Sequence, residues 1–448
     1  MPGIAGILEG GKRDEVGWML ARLKHRGRLV SETWETGKAT LGLVSTVSQP
    51  ASSAPSEHVA QDCSGPGRLA KAMVMRGQVI LERDPLGVAP LYYGRTEQGA
   101  LCFASEVKAL LEVTCDVNQF PPGCQAVGNV LLRPYFRLER GKPLAGPPEQ
   151  VASELRKRIE KAVRSCMTQP VMSAWLSGGL DSSAIAALAR PHVQALHTVA
   201  AGLPGAPDLE HARTTAAFIK STHHEVIVGI NDILAVLATV IYHLESFDAL
   251  LVRSSVMNYL AGWTAACYAS DVLSGEGGDE LFAGYEYLKS LPQDALVDEL
   301  VDITGRLHNT ALQRVDRCSA AHGLLAHVPF LDPEVVEYAM RIPVEMKLRD
   351  GVEKWILRRA LDGALPTSVL ERRKAKFWEG AGVGDLLARH AEEHVTEDDF
   401  KRERILPNGW KLNTKEECFY YRIFKDHFGK AATYDWMGRT KGAPTEEV

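Results

Sequence analysis

Apolar and polar positions divide the chain into three regimes. Over residues 1 to about 135, apolar or alternating runs of strand length recur, as in Leu41-Gly42-Leu43-Val44, Ala72-Met73-Val74-Met75 and Gln78-Val79-Ile80-Leu81. Gly, Pro and Ser interrupt them, most heavily between Ser48 and Gly67, which reads as a loop. This pattern predicts a sheet-rich first domain over residues 1–140. The Gly/Pro-rich stretch Leu138 to Gln150 reads as a linker into a second domain, residues 150–448. There Val151, Leu155, Ile159 and Val163 recur every fourth position with charges between them, an amphipathic helix. Apolar strand-length runs at 171–176, 193–200 and 225–228 then alternate with helical stretches at 184–189, 209–220 and 233–243. Such alternation predicts a doubly wound parallel sheet, whose ligands bind beyond the carboxyl ends of its strands. After about residue 290 the pattern is mainly helical, ending in the aromatic-rich Phe419-Tyr420-Tyr421-Arg422-Ile423-Phe424.

Composition narrows the function classes. A net charge of -5 argues against a nucleic-acid or anionic-membrane surface as main partner. No run of 18 apolar residues exists to span a bilayer, and the N-terminus lacks the basic start of a signal peptide. The eight cysteines form no Cys-x-x-Cys pair, which fits reduced thiols and a cytoplasmic setting.

Two glycine turns carry the chemistry. Ser177-Gly178-Gly179-Leu180-Asp181-Ser182-Ser183 lies between an apolar run and a helix-like run. Strand, glycine turn and helix present backbone N–H groups to a phosphate, and Asp181 makes sense there as a ligand of a bridging cation. A tight turn with an ordinary helix cap satisfies the same residues, so this stretch alone supports both readings. The second turn, Asp271-Val272-Leu273-Ser274-Gly275-Glu276-Gly277-Gly278-Asp279-Glu280, again follows a strand-like run. Two such turns at one sheet edge would let Asp181 and Asp279 share a magnesium ion over a triphosphate.

Together the two turns resemble the synthetase domain of the glutamine-dependent asparagine synthetases, an N-type ATP pyrophosphatase. Further matches follow in order: Gly202-Leu203-Pro204-Gly205, His223-His224-Glu225, Val328-Pro329-Phe330-Leu331-Asp332, and Arg372-Arg373-Lys374 before Glu379-Gly380-Ala381-Gly382. The resemblance implies an ATP and Mg2+ site formed by Leu176, Ser177, Gly178, Gly179, Leu180, Asp181, Ser182, Ser183, Ser274 and Gly275, with Asp181 and Asp279 on the metal. It implies that a carboxylate becomes an acyl-AMP and is then aminated. Lys374 matches the family lysine near the phosphates, and Glu353 the glutamate that handles the incoming nitrogen's proton. Glu276 matches the residue that distinguishes asparagine synthetases from the related β-lactam synthetases, which have tyrosine there. Arg253 is a candidate for the substrate carboxylate.

The first domain resembles the family's glutaminase (Ntn-type) domain through Met1-Pro2-Gly3-Ile4-Ala5-Gly6, His25-Arg26-Gly27, Asp84 to Tyr93 and Phe103 to Lys108. Where the family has its nucleophilic cysteine, this chain has Pro2, which carries no thiol. The family's Asn-Gly-Glu glutamine-binding segment has no counterpart. The expectation is a degenerate, inactive first domain and an enzyme using free ammonia or an amine, with a partner ammonia source and a homodimer left open. The family's Glu-Ala-Arg is replaced by Leu325-Ala326-His327, which implies that an ion pair is lost there. A ligase for another acid or amine, and a nucleotide-binding pseudoenzyme, are the alternatives.

Overall fold

The structure is a computed structural model and describes residues 1–46, 59–65, 67–75, 78–128, 132–372, 381 and 384–441. Among the described residues, eleven strands precede the linker. β1 (Gly3–Ile7), β2 (Val30–Thr36), β3 (Ala39–Ser45), β7 (Tyr92–Arg95), β8 (Leu101–Ala104) and β9 (Asn118–Gln119) form one antiparallel sheet, ordered β2-β3-β1-β8-β7-β9. β4 (Val59–Gly65), β5 (Arg68–Met75), β6 (Gln78–Arg83), β10 (Cys124–Val127) and β11 (Arg133–Pro134) form the second, ordered β11-β10-β6-β5-β4. Alternation is visible in β5, where Ala70, Ala72 and Val74 are buried and Lys71 and Met73 are not fully so. They pack with Ile4, Leu41, Leu43, Val79, Leu81 and Phe103 in one apolar cluster contributed by both sheets.

One expectation fails here. Residues 59–65, read as part of a loop, form strand β4. Its inward positions are Ala60 and Asp62, and Asp62 is buried in a two-pronged pair with Arg68 at 2.9 and 2.6 Å. A strand whose core face carries a paired acid shows no apolar alternation.

Residues 138–147 have no regular structure, as a linker should, but Leu144 N–H donates to the Arg341 carbonyl at 2.8 Å. α3 (Pro148–Ser165) buries Val151, Leu155, Ile159 and Val163 as their spacing requires. Next come β12 (Val171–Trp175), β13 (Ala195–Gly202), β14 (Thr222–Ile227), β15 (Asp271–Leu273) and β16 (Leu325–His327), all parallel, in the order β14-β13-β12-β15-β16. The order reverses at β12, so the loops after β12 and β15 leave the same edge side by side. Helices connect and cover the strands: α4 (Leu180–Ala189), α5 (Pro207–Ile219), α6 (Ile230–Leu244), α7 (Ala249–Ala266), α8 (Gly278–Phe282), α9 (Gln293–Gly305) and α10 (Ala311–Ala320). After β16 the described chain is helical. Among the described residues no single helix is long and apolar enough to cross a membrane; α6 and α7 pass only as a pair bent by 110°.

A buried ion network joins the two parts. In the first, α1 (Arg13–Arg22) precedes the His25-Arg26-Gly27 turn, and α2 (Val107–Leu110) follows Glu106. Arg26 is fully buried and donates to Glu106 at 2.6 Å, to Asp316 of α10 at 2.8 and 2.9 Å, and to the Pro2 carbonyl at 2.9 Å. Arg68 reaches Asp316 at 2.7 Å, and Arg317 reaches Glu245 at 3.0 Å. Burial works against the Glu106 carboxylate, but His25, Lys108, Arg317 and Arg26 outweigh it and hold its pKa well below the usual range.

Candidate active site

At the end of β12 the chain must turn sharply into α4. Gly178 takes a left-handed φ of 69°, and a Cβ there would sit 2.5 Å from the Ala212 amide nitrogen. Ser177 N–H donates to Ser182 Oγ at 3.2 Å, and the two hydroxyls lie 3.1 Å apart, so both line the turn. Ser183 is different. It is buried with its hydroxyl 3.2 Å from Thr215 of α5, which fixes α4 rather than facing the turn. Leu176 and Leu180 are also core residues, offering only backbone groups to the turn.

The second turn lies directly on the first. A Cβ on Gly275 would come within 2.6 Å of the Ser182 amide nitrogen, and one on Gly278 within 2.5 Å of the Asp181 carboxyl carbon. Ser274 N–H donates to the His327 carbonyl at 2.9 Å. Only residues without side chains allow this approach, which brings Asp181 and Asp279 together. Between them stands Lys354, a residue sequence reasoning missed. Its ammonium is 2.5 Å from Asp181 Oδ2 and 2.5 Å from Asp279 Oδ1. The structure thus converges two carboxylates, one from each turn, on a single cation position. That donor set fits Mg2+, which takes one or two carboxylates and completes its shell with phosphate and water oxygens.

Lys354 adopts a left-handed φ of 55° at the start of the helix Trp355–Ala360, and its N–H donates to the Phe282 carbonyl at 3.2 Å. Glu353 immediately precedes Lys354 in the chain. Glu353 is buried, with Oε1 2.7 Å from Arg358 and Oε2 3.2 Å from Lys289. Burial pushes its pKa up, yet its own backbone N–H, Arg358 and Lys289 outweigh this and hold it below the usual range, so it stays a carboxylate. Glu276 is held at 2.6 Å by Arg314 of α10. Its neighbour Glu280 is buried beside Asp279 and accepts a hydrogen bond from Tyr285; burial first, then the two adjacent acids, pushes it up to about 8.

Two other assignments look different in three dimensions. The guanidinium fork of Arg253, on α7, is engaged by Glu416, whose Oε1 also accepts from Tyr420 at 2.7 Å. His327 does not leave a vacancy: its Nε2 is 2.8 Å from Asp271 Oδ2, so a polar pair persists where its loss was expected. His327, Ser270 and Thr168 together outweigh burial and hold the Asp271 carboxyl low. Lys374 lies outside the described residues. Arg372, two positions before it, is anchored 2.5 Å from Asp208 at the start of α5, at the same sheet edge.

Fold and site define a class: a parallel α/β protein with a glycine cradle and paired carboxylates at its switch point, preceded by two antiparallel sheets. The chain belongs to the asparagine synthase family, whose profile matches residues 154–302 and 294–440. A glutamine amidotransferase domain profile matches residues 57–134. Similar proteins include asparagine synthetase (glutamine-hydrolyzing) 2 of Arabidopsis thaliana, 35% identical over 387 residues, covering 79% of this chain and 65% of that protein. Asparagine synthetase B (glutamine-hydrolyzing) of Escherichia coli K12 is 34% identical over 378 residues, covering 78% and 67%. The chain therefore spans about two thirds of the length of these relatives. A solved NMN synthetase from Francisella tularensis overlaps 64% of this chain and 98% of its own at 14% identity, with a TM-score of 0.29.

Proposed function

We propose that this protein is an ATP-dependent carbon–nitrogen ligase that activates a carboxylate as an acyl-AMP and aminates it with ammonia rather than with glutamine. Aspartate is the proposed acceptor. The single observation that carries the reading is the convergence of Asp181 and Asp279 on one cation position beside a glycine cradle. Membership of the asparagine synthase family supports it. A bound Mg2+ would offset the negative charge that pyrophosphate gains as it leaves. The amides and hydroxyls of Ser177 to Ser182, with Ser274 and Gly275, bind and orient the triphosphate. A substrate carboxylate oxygen then attacks the α-phosphorus and the bond to pyrophosphate breaks. Glu353, held ionised, takes a proton from the attacking nitrogen, and AMP leaves as the amide forms. Lys374 is assigned to the phosphates and Glu276, on Arg314, to orienting the acceptor. Arg253 is not assigned to the substrate, because Glu416 engages its fork.

Glutamine is excluded from the proposal because Pro2 supplies no nucleophile, and Arg26, at the adjoining turn, is committed to the buried network. Residues 1–140 then serve as an inactive glutaminase-like domain and residues 150–448 as the synthetase. A separate ammonia source, a cytoplasmic setting and a small-molecule rather than nucleic-acid or membrane partner complete the reading. The test is pyrophosphate release with ATP, Mg2+ and aspartate, comparing ammonium with glutamine. Ammonium should support asparagine formation and glutamine should not. Efficient glutamine use by the purified chain would sink the assignment of Pro2, and release only with another acid would replace aspartate. Asp181→Asn should abolish release.

A further inference from the structure

Away from the cradle, the helix Gly384–His394 carries a second group of ligating side chains. His390, Glu393 and His394 place their ligand atoms within 4.8 Å of one another, the one such group found among the described residues. The spacing explains it: positions three and four apart share a helix face, so His390 stands one turn below both Glu393 and His394. The adjacent acid, Glu392, is drawn aside by Lys415 at 2.7 Å, which leaves Glu393 as the carboxylate on the histidines' turn.

The two imidazoles are already arranged. His394 Nδ1–H donates to the His390 carbonyl at 2.7 Å, which fixes the tautomer and leaves Nε2 with its lone pair. A backbone carbonyl on the far nitrogen is a usual outer partner of a metal-bound histidine. The rings lie 4.0 Å apart at 31°, and Phe419 of the helix Lys415–Phe428 packs edge-on against His390 at 5.3 Å and at a tilt against His394 at 6.2 Å. Both His394 and Glu393 are exposed, so an ion can enter from solvent.

From this geometry we propose that His390, Glu393 and His394 form a binding site for a divalent transition cation of the Zn2+ class. Two imidazole nitrogens and one carboxylate suit Zn2+ and discriminate against Mg2+ and Ca2+, which prefer oxygen shells. The three residues leave a fourth position to water. A bound ion cross-links the last turn of the helix Gly384–His394. The site is separate from the nucleotide cradle, so it stands whether or not the proposed ligase activity is correct.

The experiment titrates Zn2+ into the intact, chelator-stripped chain by calorimetry, with Co2+ absorption to report the ligands. One saturable Zn2+ site per chain is expected. His390→Gln and His394→Gln should each weaken it at least about tenfold, the lower end of the loss seen even for outer-shell partners, and Glu393→Gln should weaken it less. The Co2+ spectrum should show nitrogen and oxygen ligands only. Cys63, Cys115 and Cys267 are exposed, so a thiolate-to-metal band would assign binding to them and overturn the proposal. Absence of saturable binding would also overturn it, as would unchanged affinity in the double histidine variant with its helix content intact by circular dichroism.

Discussion

Replacing Lys354 by methionine removes the cation between the two turns while keeping a side chain of similar length. Lys354 is 3% exposed, Asp181 12% and Asp279 15%, and both contacts are 2.5 Å. Removing one partner of a buried charge group strands the others, at a cost of about 3–5 kcal/mol. The two carboxylates keep some solvent access, which points to the lower end, about 3 kcal/mol. In metal-free buffer Lys354→Met should therefore unfold at lower temperature and lower urea than the unaltered chain. Mg2+ should then restore stability to the variant more than to the unaltered chain, because the ammonium no longer competes for the carboxylates. At a hundredfold excess over its dissociation constant, a ligand specific for the folded state adds about 2.7 kcal/mol. The assay is a thermal scan of both proteins across a Mg2+ series without nucleotide. Equal stability without metal, or equal stabilisation by Mg2+, would refute the view that Lys354 occupies a cation position.

Two further outcomes follow from the same structure. Gly275→Ala should weaken ATP binding and lower stability by about 1–3 kcal/mol, since the new methyl must displace the Asp181–Ser182 backbone; equilibrium nucleotide binding and urea titration check it. Burial first, then Lys108 and His25, lowers the His243 pKa to about 3, so this ring is neutral in the folded protein over a range where the unfolded chain binds a proton. Its contribution is present above about pH 6.5 and is lost on acidification towards pH 3, by at most about 1.4 kcal/mol per pH unit. His243→Gln should flatten that part of the stability profile, and an unchanged slope would assign it to other groups.

The parallel sheet and both glycine turns were legible because their signals are local: apolar runs of strand length, glycines, and an acid at a helix start. What the sequence hides is which charge meets which. Lys354 adjoins Glu353 in the chain, yet only the left-handed bend and the juxtaposition of β12 and β15 reveal that it reaches Asp181 and Asp279. Arg314, which holds Glu276, lies 38 residues away in the chain on α10 with no motif around it. Arg253 looked available because its partner Glu416 is 163 residues distant. Strand β4 escaped notice because its core face is a small residue and an ion-paired acid. The exchange at position 327 implied a lost ion pair, whereas a histidine can still reach Asp271.

The ion network between the sheets and α10 bears on how this chain can change over evolutionary time. Asp316 and Glu245 lie after the linker, but Arg26, Arg68 and Lys108, before it, help to neutralise them. A chain shortened by its first 140 residues would expose an apolar face and leave Asp316 and Glu245 with Arg317 as their shared counterpart. Each single substitution toward such a chain breaks a buried pair before any simplification is reached. Under the proposed function, a first domain without glutaminase chemistry would still be retained, because its charges complete a buried network that runs into α10.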